Sequence, residues 1–155
     1  MEYATARWVH FLRNVDFKGY HSSIKGRPRW RGYNRESCQM KYMCLIYGDE
    51  AKHPQPGTPE MGQLMQDYMA FTKDIQEKSV MVAGDPLQPV ATATTVRVRG
   101  GKTDTTDGPF AETKEQLGGY YILECKDLDE AIAYAARIPT AASGSIEVRP
   151  IMVFD

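Results

Sequence analysis

Tyr42-Met43-Cys44-Leu45-Ile46-Tyr47 is an unbroken apolar run, closed by Gly48-Asp49-Glu50. Six residues is strand length, and the lack of alternation asks for burial on both faces of the strand. The chain must therefore supply a sheet with two covers. One cover is visible downstream. Thr58-Pro59-Glu60 is a helix start: Thr58 can cap, Pro59 suits the first helical position, and Glu60 favours the positive end of the helix dipole. Met61, Leu64, Met65, Tyr68, Thr72 and Ile75 then fall on one helical stripe with Phe71 beside it, which predicts a helix running to about Glu77.

The rest of the chain repeats the plan. Val80–Ala83 is a second apolar strand, stopped by Gly84-Asp85-Pro86. Thr94–Arg99 alternates, with Val96 and Val98 opposed to Arg97 and Arg99, and Gly100-Gly101 turns it tightly into Lys102–Thr106. Gly118–Lys126 holds another strand around Tyr120-Tyr121-Ile122-Leu123. Asp127 with Glu130 three residues on makes a capping-box-like start for a second helix, a device worth about 1 kcal/mol. Leu128, Ala131, Ile132 and Ala135 are its expected buried face, and Pro139 ends it. Ser145–Phe154 reads as a last strand, with Ile146, Val148, Pro150 and Met152 on one side.

The order β-α-β-hairpin-β-α-β is that of an α+β, ferredoxin-like split βαβ fold with an inserted β-hairpin. Two helices cover only one face of such a sheet. Because the strands are apolar on both, the open face calls for a partner, and a second copy of the same sheet is the simplest one. A homodimer through the open sheet face is therefore expected.

Residues 1–39 differ in kind from residues 40–155. The first stretch carries eight Lys/Arg against three acids, a net +5, whereas the remainder carries eleven against seventeen, a net −6. Its apolar residues are mostly isolated aromatics without strand or helix period. A basic, aromatic-interleaved arm suits nucleic acid, but the simpler reading is a disordered or loosely docked extension, begun upstream of a natural start at Met40. Nucleic acid is not favoured as a partner.

Composition sets further bounds. No apolar run reaches the ~18–20 residues of a membrane span, and no secretory leader is visible. The three cysteines, Cys38, Cys44 and Cys125, lack disulfide or metal spacing, which fits a reducing cytoplasm. Cys44 and Cys125 read as small buried hydrophobes rather than nucleophiles. His10, His21 and His53 are scattered, so neither a metal site nor a cofactor is expected. Gly101-Lys102-Thr103 ends like a phosphate-binding loop but stands in a strand-turn-strand context without the earlier glycine.

The densest polar segment is Asp107-Gly108-Pro109-Phe110-Ala111-Glu112-Thr113-Lys114-Glu115-Gln116-Leu117-Gly118-Gly119-Tyr120-Tyr121. Together with Met40–Glu50, Ala91–Lys102 and Ile146–Ile151 it resembles the branch of the YCII-related family that carries a DGPF motif. The resemblance covers residues 40–155 and none of 1–39. It implies a dimeric α+β barrel. It also implies a catalytic His on the first helix and an Asp before a Pro after the second. This chain departs from both: Asp67 or Tyr68 stands where the His would be, and Ile138 precedes Pro139. That chemistry does not carry over. Similar proteins are encoded near, or fused to, extracytoplasmic-function sigma factors, so the resemblance also implies a sigma factor as a regulatory partner.

In the DGPF run, Asp107 can cap nearby N–H groups, Phe110 can anchor the loop to the core, and Gly118-Gly119 permits close backbone approach. One reading is a loop that sets strand register. The other is a pocket wall in which Asp49, Asp107, Arg97 and Lys114 orient a small polar ligand while Tyr47 and Phe110 supply an apolar side. Three functions follow: a homodimeric small-molecule-binding or accessory protein, an enzyme on a small metabolite with Asp49 or Asp107 as acid or base, and an interaction module for a sigma factor. The binding protein is the leading expectation.

Overall fold

The computed structural model describes residues 39–153. The expectations for residues 1–39 lie, Gln39 apart, outside the described residues. The elements are β1 (Met40–Gly48), α1 (Pro59–Glu77), β2 (Met81–Pro86), β3 (Thr94–Arg99), β4 (Lys102–Asp107), β5 (Gln116–Cys125), α2 (Leu128–Ala135) and β6 (Ser145–Pro150). Short 3-10 turns stand at Glu50–Lys52, Val90–Thr92 and Pro139–Ala142. Four strands form one sheet in the order β2-β5-β1-β6, and each adjacent pair is antiparallel. This is the expected split βαβ plan. β3 and β4 form a separate two-stranded sheet.

Helix ends follow local chemistry. Thr58 Oγ1 accepts from the Met61 N–H and donates to the Gln55 carbonyl, with Pro59 next in the chain. The other end of α1 is a Schellman closure: the Val80 N–H reaches Ile75 O and the Ser79 N–H reaches Gln76 O, with Ser79 at φ 57°. Asp127 accepts from the Glu130 N–H at 2.8 Å, and Glu130 reaches back to the Lys126 N–H at 2.8 Å. Gly100 and Gly101 both have positive φ, 55° and 77°, as a two-residue hairpin turn of the favoured twist requires.

Both helices pack on one face of the sheet. From β1 come Tyr42, Cys44 and Ile46, from β5 Tyr121, Leu123 and Cys125, from α1 Phe71 and Ile75, and from α2 Ala131 and Ala135. Ile138 closes this core from the segment after α2. Burial pushes the Cys44 and Cys125 thiols up to about 11, so both stay protonated hydrophobes at neutral pH. The other face carries Met43, Leu45 and Tyr47 of β1 beside Tyr120 and Ile122 of β5, all half-buried.

Several boundaries differ from expectation. β2 runs on to Pro86 because it is an edge strand, where a missing N–H costs no ladder bond. β6 stops at Pro150, and Met152 and Val153 are exposed. On α2, Ala131 and Ala135 face inward as expected, but Leu128 and Ile132 are about half exposed at 47% and 49%. A helix of only two turns set against the sheet by alanines turns its larger side chains to the flank. Gly118 is the extra residue of a bulge, since Ile46 pairs with Gly119 and Tyr47 with Leu117.

Candidate functional site

The N-terminal half of α1 does not sit down on the sheet. Phe71 and Ile75 are buried, but Met61, Leu64 and Tyr68 are only half-buried, and Met65 and Met69 are 53% and 60% exposed. Between this half-helix and the sheet lies a cleft of about 800 Å³, within the ~300–1,000 Å³ range of small-molecule sites. Ile46, Gly48, Gly84, Gly118 and Tyr121 form the floor, and Met61, Leu64, Met65, Tyr68, Met69 and Thr72 form the roof. The ends are closed by His53, Pro54 and Pro56 after β1, by Pro86 at the end of β2 with Leu87 and Pro89 after it, and by Thr140. The lining is mostly hydrocarbon, thioether and proline ring.

Two hydroxyl pairs tie the roof to its surroundings. Tyr68 Oη and Thr140 Oγ1 are 2.6 Å apart, and Thr72 Oγ1 and Tyr121 Oη are 2.7 Å apart. In each pair one hydroxyl donates to the other, which leaves one O–H and several lone pairs for a third group. Burial pushes the Tyr68 hydroxyl above its ordinary range, so it remains a donor throughout neutral pH. The Phe71 and Tyr121 rings meet edge-on at 5.4 Å and hold the floor against the helix.

A smaller depression of about 490 Å³ adjoins the cleft and shares Gly48, His53, Pro54, Leu64 and Thr140 with it. Asp49, Lys52, Glu60, Gln63 and Asp67 bring charged and polar groups to its walls. His53 thus stands on the partition between an apolar chamber and a charged one.

The expected site residues fall in different places. Asp49 lines the polar depression, where its carboxylate accepts from the Ala51 N–H at 3.0 Å and pairs with Lys52 at 3.0 Å. Lys52 and that backbone N–H hold the Asp49 carboxyl below its usual range. Tyr47 lies on the opposite face of the sheet from the cleft. Arg97 is on β3, paired across the hairpin with Asp104, and Asp107 ends β4 opposite Thr94. Lys114 is exposed in the loop before β5. None of the six lines the main cleft. One local expectation needs correction. Phe110 is 82% exposed in this chain and does not anchor its loop to the core. The loop is instead held by the backbone of Gly108, whose N–H donates to Ala93 O and whose carbonyl accepts from Thr95 Oγ1.

The residues that do line the cleft were hidden in two ways. Met61, Leu64, Met65 and Tyr68 read as core, because a helical stripe has the same spacing whether it meets a sheet or roofs a cavity. The usable signal was length: a stripe of four turns is longer than two buried residues can account for. Glu50 is a further missed residue. Its carboxylate accepts from the Val90 N–H at 3.0 Å, and its N–H donates to Gln116 Oε1 at 3.1 Å, joining two 3-10 turns and the start of β5 at one end of the cleft.

A YCII-related domain model matches residues 40–155. The chain is 38% identical over 117 residues to an uncharacterized protein of Rhizobium meliloti (strain 1021), covering 74% of this chain and 94% of that protein. An antiparallel sheet in the order β2-β5-β1-β6 under two helices, and a family match over the whole of that unit, place this chain in the YCII-related family.

Proposed function

We propose that this protein binds a small, largely apolar molecule in the cleft beneath the N-terminal half of α1. The observation that carries the reading is the lifted half-helix: a stripe of Met61, Leu64 and Met65 faces a cavity rather than the sheet. Burying such a stripe against a ligand gains about 25 cal/mol per Å² of apolar surface removed from water. Methionine suits the task, because its flexible thioether repacks around different shapes. The ligand's polar requirement is modest. The Tyr68–Thr140 and Thr72–Tyr121 pairs offer hydroxyl donors and acceptors, which suit a carbonyl or hydroxyl oxygen. This shifts the ligand class from the small polar molecule that the charged loop residues suggested.

Binding is favoured over catalysis because neither acidic candidate, Asp49 or Asp107, lines the main cleft. Lys52 and a backbone N–H hold the Asp49 carboxyl below its usual range, which disfavours the protonated form a general acid needs and leaves only a base role to it. The reading includes a homodimer through the open sheet face, supported by the five half-buried apolar side chains there.

Native mass spectrometry of the purified protein tests the ligand. The expected result is a retained, oxygen-bearing apolar molecule that Tyr68→Phe holds less tightly. Selective retention of highly charged metabolites, with no binding of hydroxylated or carbonyl-bearing aromatic compounds, would count against the cleft.

A further inference from the structure

The wall at one end of the cleft is a short, stiff segment, residues 86–89, of which Pro86, Leu87 and Pro89 line the cleft. Each proline fixes its own φ and restricts the residue before it, here Asp85 and Gln88. Prolines lack an N–H, so only Leu87, Gln88 and Val90 can donate bonds that tie the segment down. Two such ties are made. The Leu87 N–H donates to Gly118 O at 2.8 Å, directly after the last β2–β5 pair, Pro86 with Gly119. The Val90 N–H donates to the Glu50 carboxylate at 3.0 Å. The near end is thus continuous with the sheet, whereas the far end is held by a side chain.

The chain beyond gives that far end little support. The Thr92 and Ala93 N–H groups turn back onto the Pro89 and Val90 carbonyls. The chain then enters β3 and β4, which form a sheet of their own. Among the described residues, the bond to Glu50 is the one hydrogen bond from the Val90–Thr92 turn to the elements around the cleft. Glu50 is preset for this contact. Its N–H donates to Gln116 Oε1 at 3.1 Å, and its carbonyl accepts from the His53 N–H at 3.3 Å. Gln116 is fixed in turn, because its Nε2 donates to Thr113 O.

We infer that Glu50 is a positioning residue that sets the upper size of the ligand, by holding segment 86–89 in place as the end wall of the cleft. The inference rests on the proposed binding function and adds to it the group that limits the ligand's length. Released from Glu50, the stiff segment swings as a unit about its tie to Gly118, and the cleft lengthens at that end.

Calorimetric binding of 4-butylphenol and 4-nonylphenol to the full chain tests this, with circular dichroism to confirm folding. Both phenols carry a hydroxyl suited to the hydroxyl pairs of the cleft, and they differ in length. Three variants act on one bond. Glu50→Ala removes the acceptor. Val90→Pro removes the donor at the first position of a 3-10 turn, where proline fits, and Pro89 already has the extended ψ of 147° that a following proline asks for. Glu50→Gln keeps an acceptor oxygen for the Val90 N–H. Glu50→Ala and Val90→Pro are each expected to raise the affinity for 4-nonylphenol relative to 4-butylphenol about tenfold, the worth of roughly two further buried methylenes. Combining them should add nothing, since both break the same bond. Glu50→Gln should keep the wild-type ratio. An unchanged ratio in Glu50→Ala and Val90→Pro overturns the inference and leaves the binding function standing. A ratio in Glu50→Gln that rises as far as in Glu50→Ala does the same. A wild type that binds neither phenol overturns both.

Discussion

The two halves of α1 carry one continuous stripe and have opposite fates. In the C-terminal half, Phe71 and Ile75 are sealed against Leu123, Tyr121 and the core beneath. In the N-terminal half, Met61, Leu64 and Met65 hang over a cavity. The halves also differ in how they are tied. The C-terminal half is anchored by Asp74, whose carboxylate pairs with Lys78 at 2.8 Å and with Arg137 at 2.7 Å. Arg137 in turn lies over the Phe71 and Tyr134 rings. Two hydroxyl pairs, at Tyr68 and Thr72, join the roof of the cleft to its surroundings. One half of the helix builds the fold, and the other roofs a cavity in which we propose that a ligand sits.

The sharpest way to break this contrast is truncation on each side of it. Ile75→Ala should lower stability by about 2–5 kcal/mol in urea denaturation, as expected for a fully buried aliphatic residue. Met65→Ala should cost about 0.5 kcal/mol or less, because an exposed side chain leaves no core cavity. Equal losses at the two positions would show that the roof is core after all.

Tyr68→Phe should cost about 1 kcal/mol by deleting the bond to Thr140, and should weaken retention of any bound molecule.

The anchor predicts a pH dependence for the C-terminal half of α1. Lys78 and then Arg137 hold the Asp74 carboxyl below its usual range. Its contribution is therefore present above the unfolded pKa and lost as pH falls through the lower folded value. Asp74→Asn should flatten the acid limb of a stability–pH curve, while Gln63→Ala in the roof half should leave it unchanged. The buried thiols act at the other end. Their folded values are raised to about 11, so their share of stability is lost as pH rises from about 9 through that value.

The smallest effect concerns the helix end. Ser79 adopts the left-handed conformation of a Schellman closure, which glycine adopts without strain. Ser79→Gly should raise stability by up to about 1 kcal/mol and leave the cleft unaffected.

Much of the fold could be read from the chain because its signals are local. Thr58-Pro59, Asp127 with Glu130, and Gly100-Gly101 each fix a cap or turn through contacts within a few residues. The cleft could not be read that way. Thr140 reaches Tyr68 across 72 positions, and Tyr121 reaches Thr72 across 49. His53 stands at the partition only because β1 ends where the turn after α2 begins. A charged loop such as Asp107–Lys114 attracts attention in a sequence, whereas a pocket lined by Met, Leu and Pro looks like ordinary core.

The division of α1 into a structural half and a binding half is tested most directly by filling the cleft. A fluorescent probe of apolar surfaces, the anionic amphiphile 8-anilinonaphthalene-1-sulfonate, can be titrated into the wild type and into Leu64→Trp, with urea unfolding of both. The expected result is saturable binding of one probe per chain by the wild type and at least about tenfold weaker binding by the variant, a loss of roughly 1.4 kcal/mol, with the unfolding midpoint unchanged or raised. Undiminished binding by Leu64→Trp, or a loss of stability as large as that of Ile75→Ala, would contradict it.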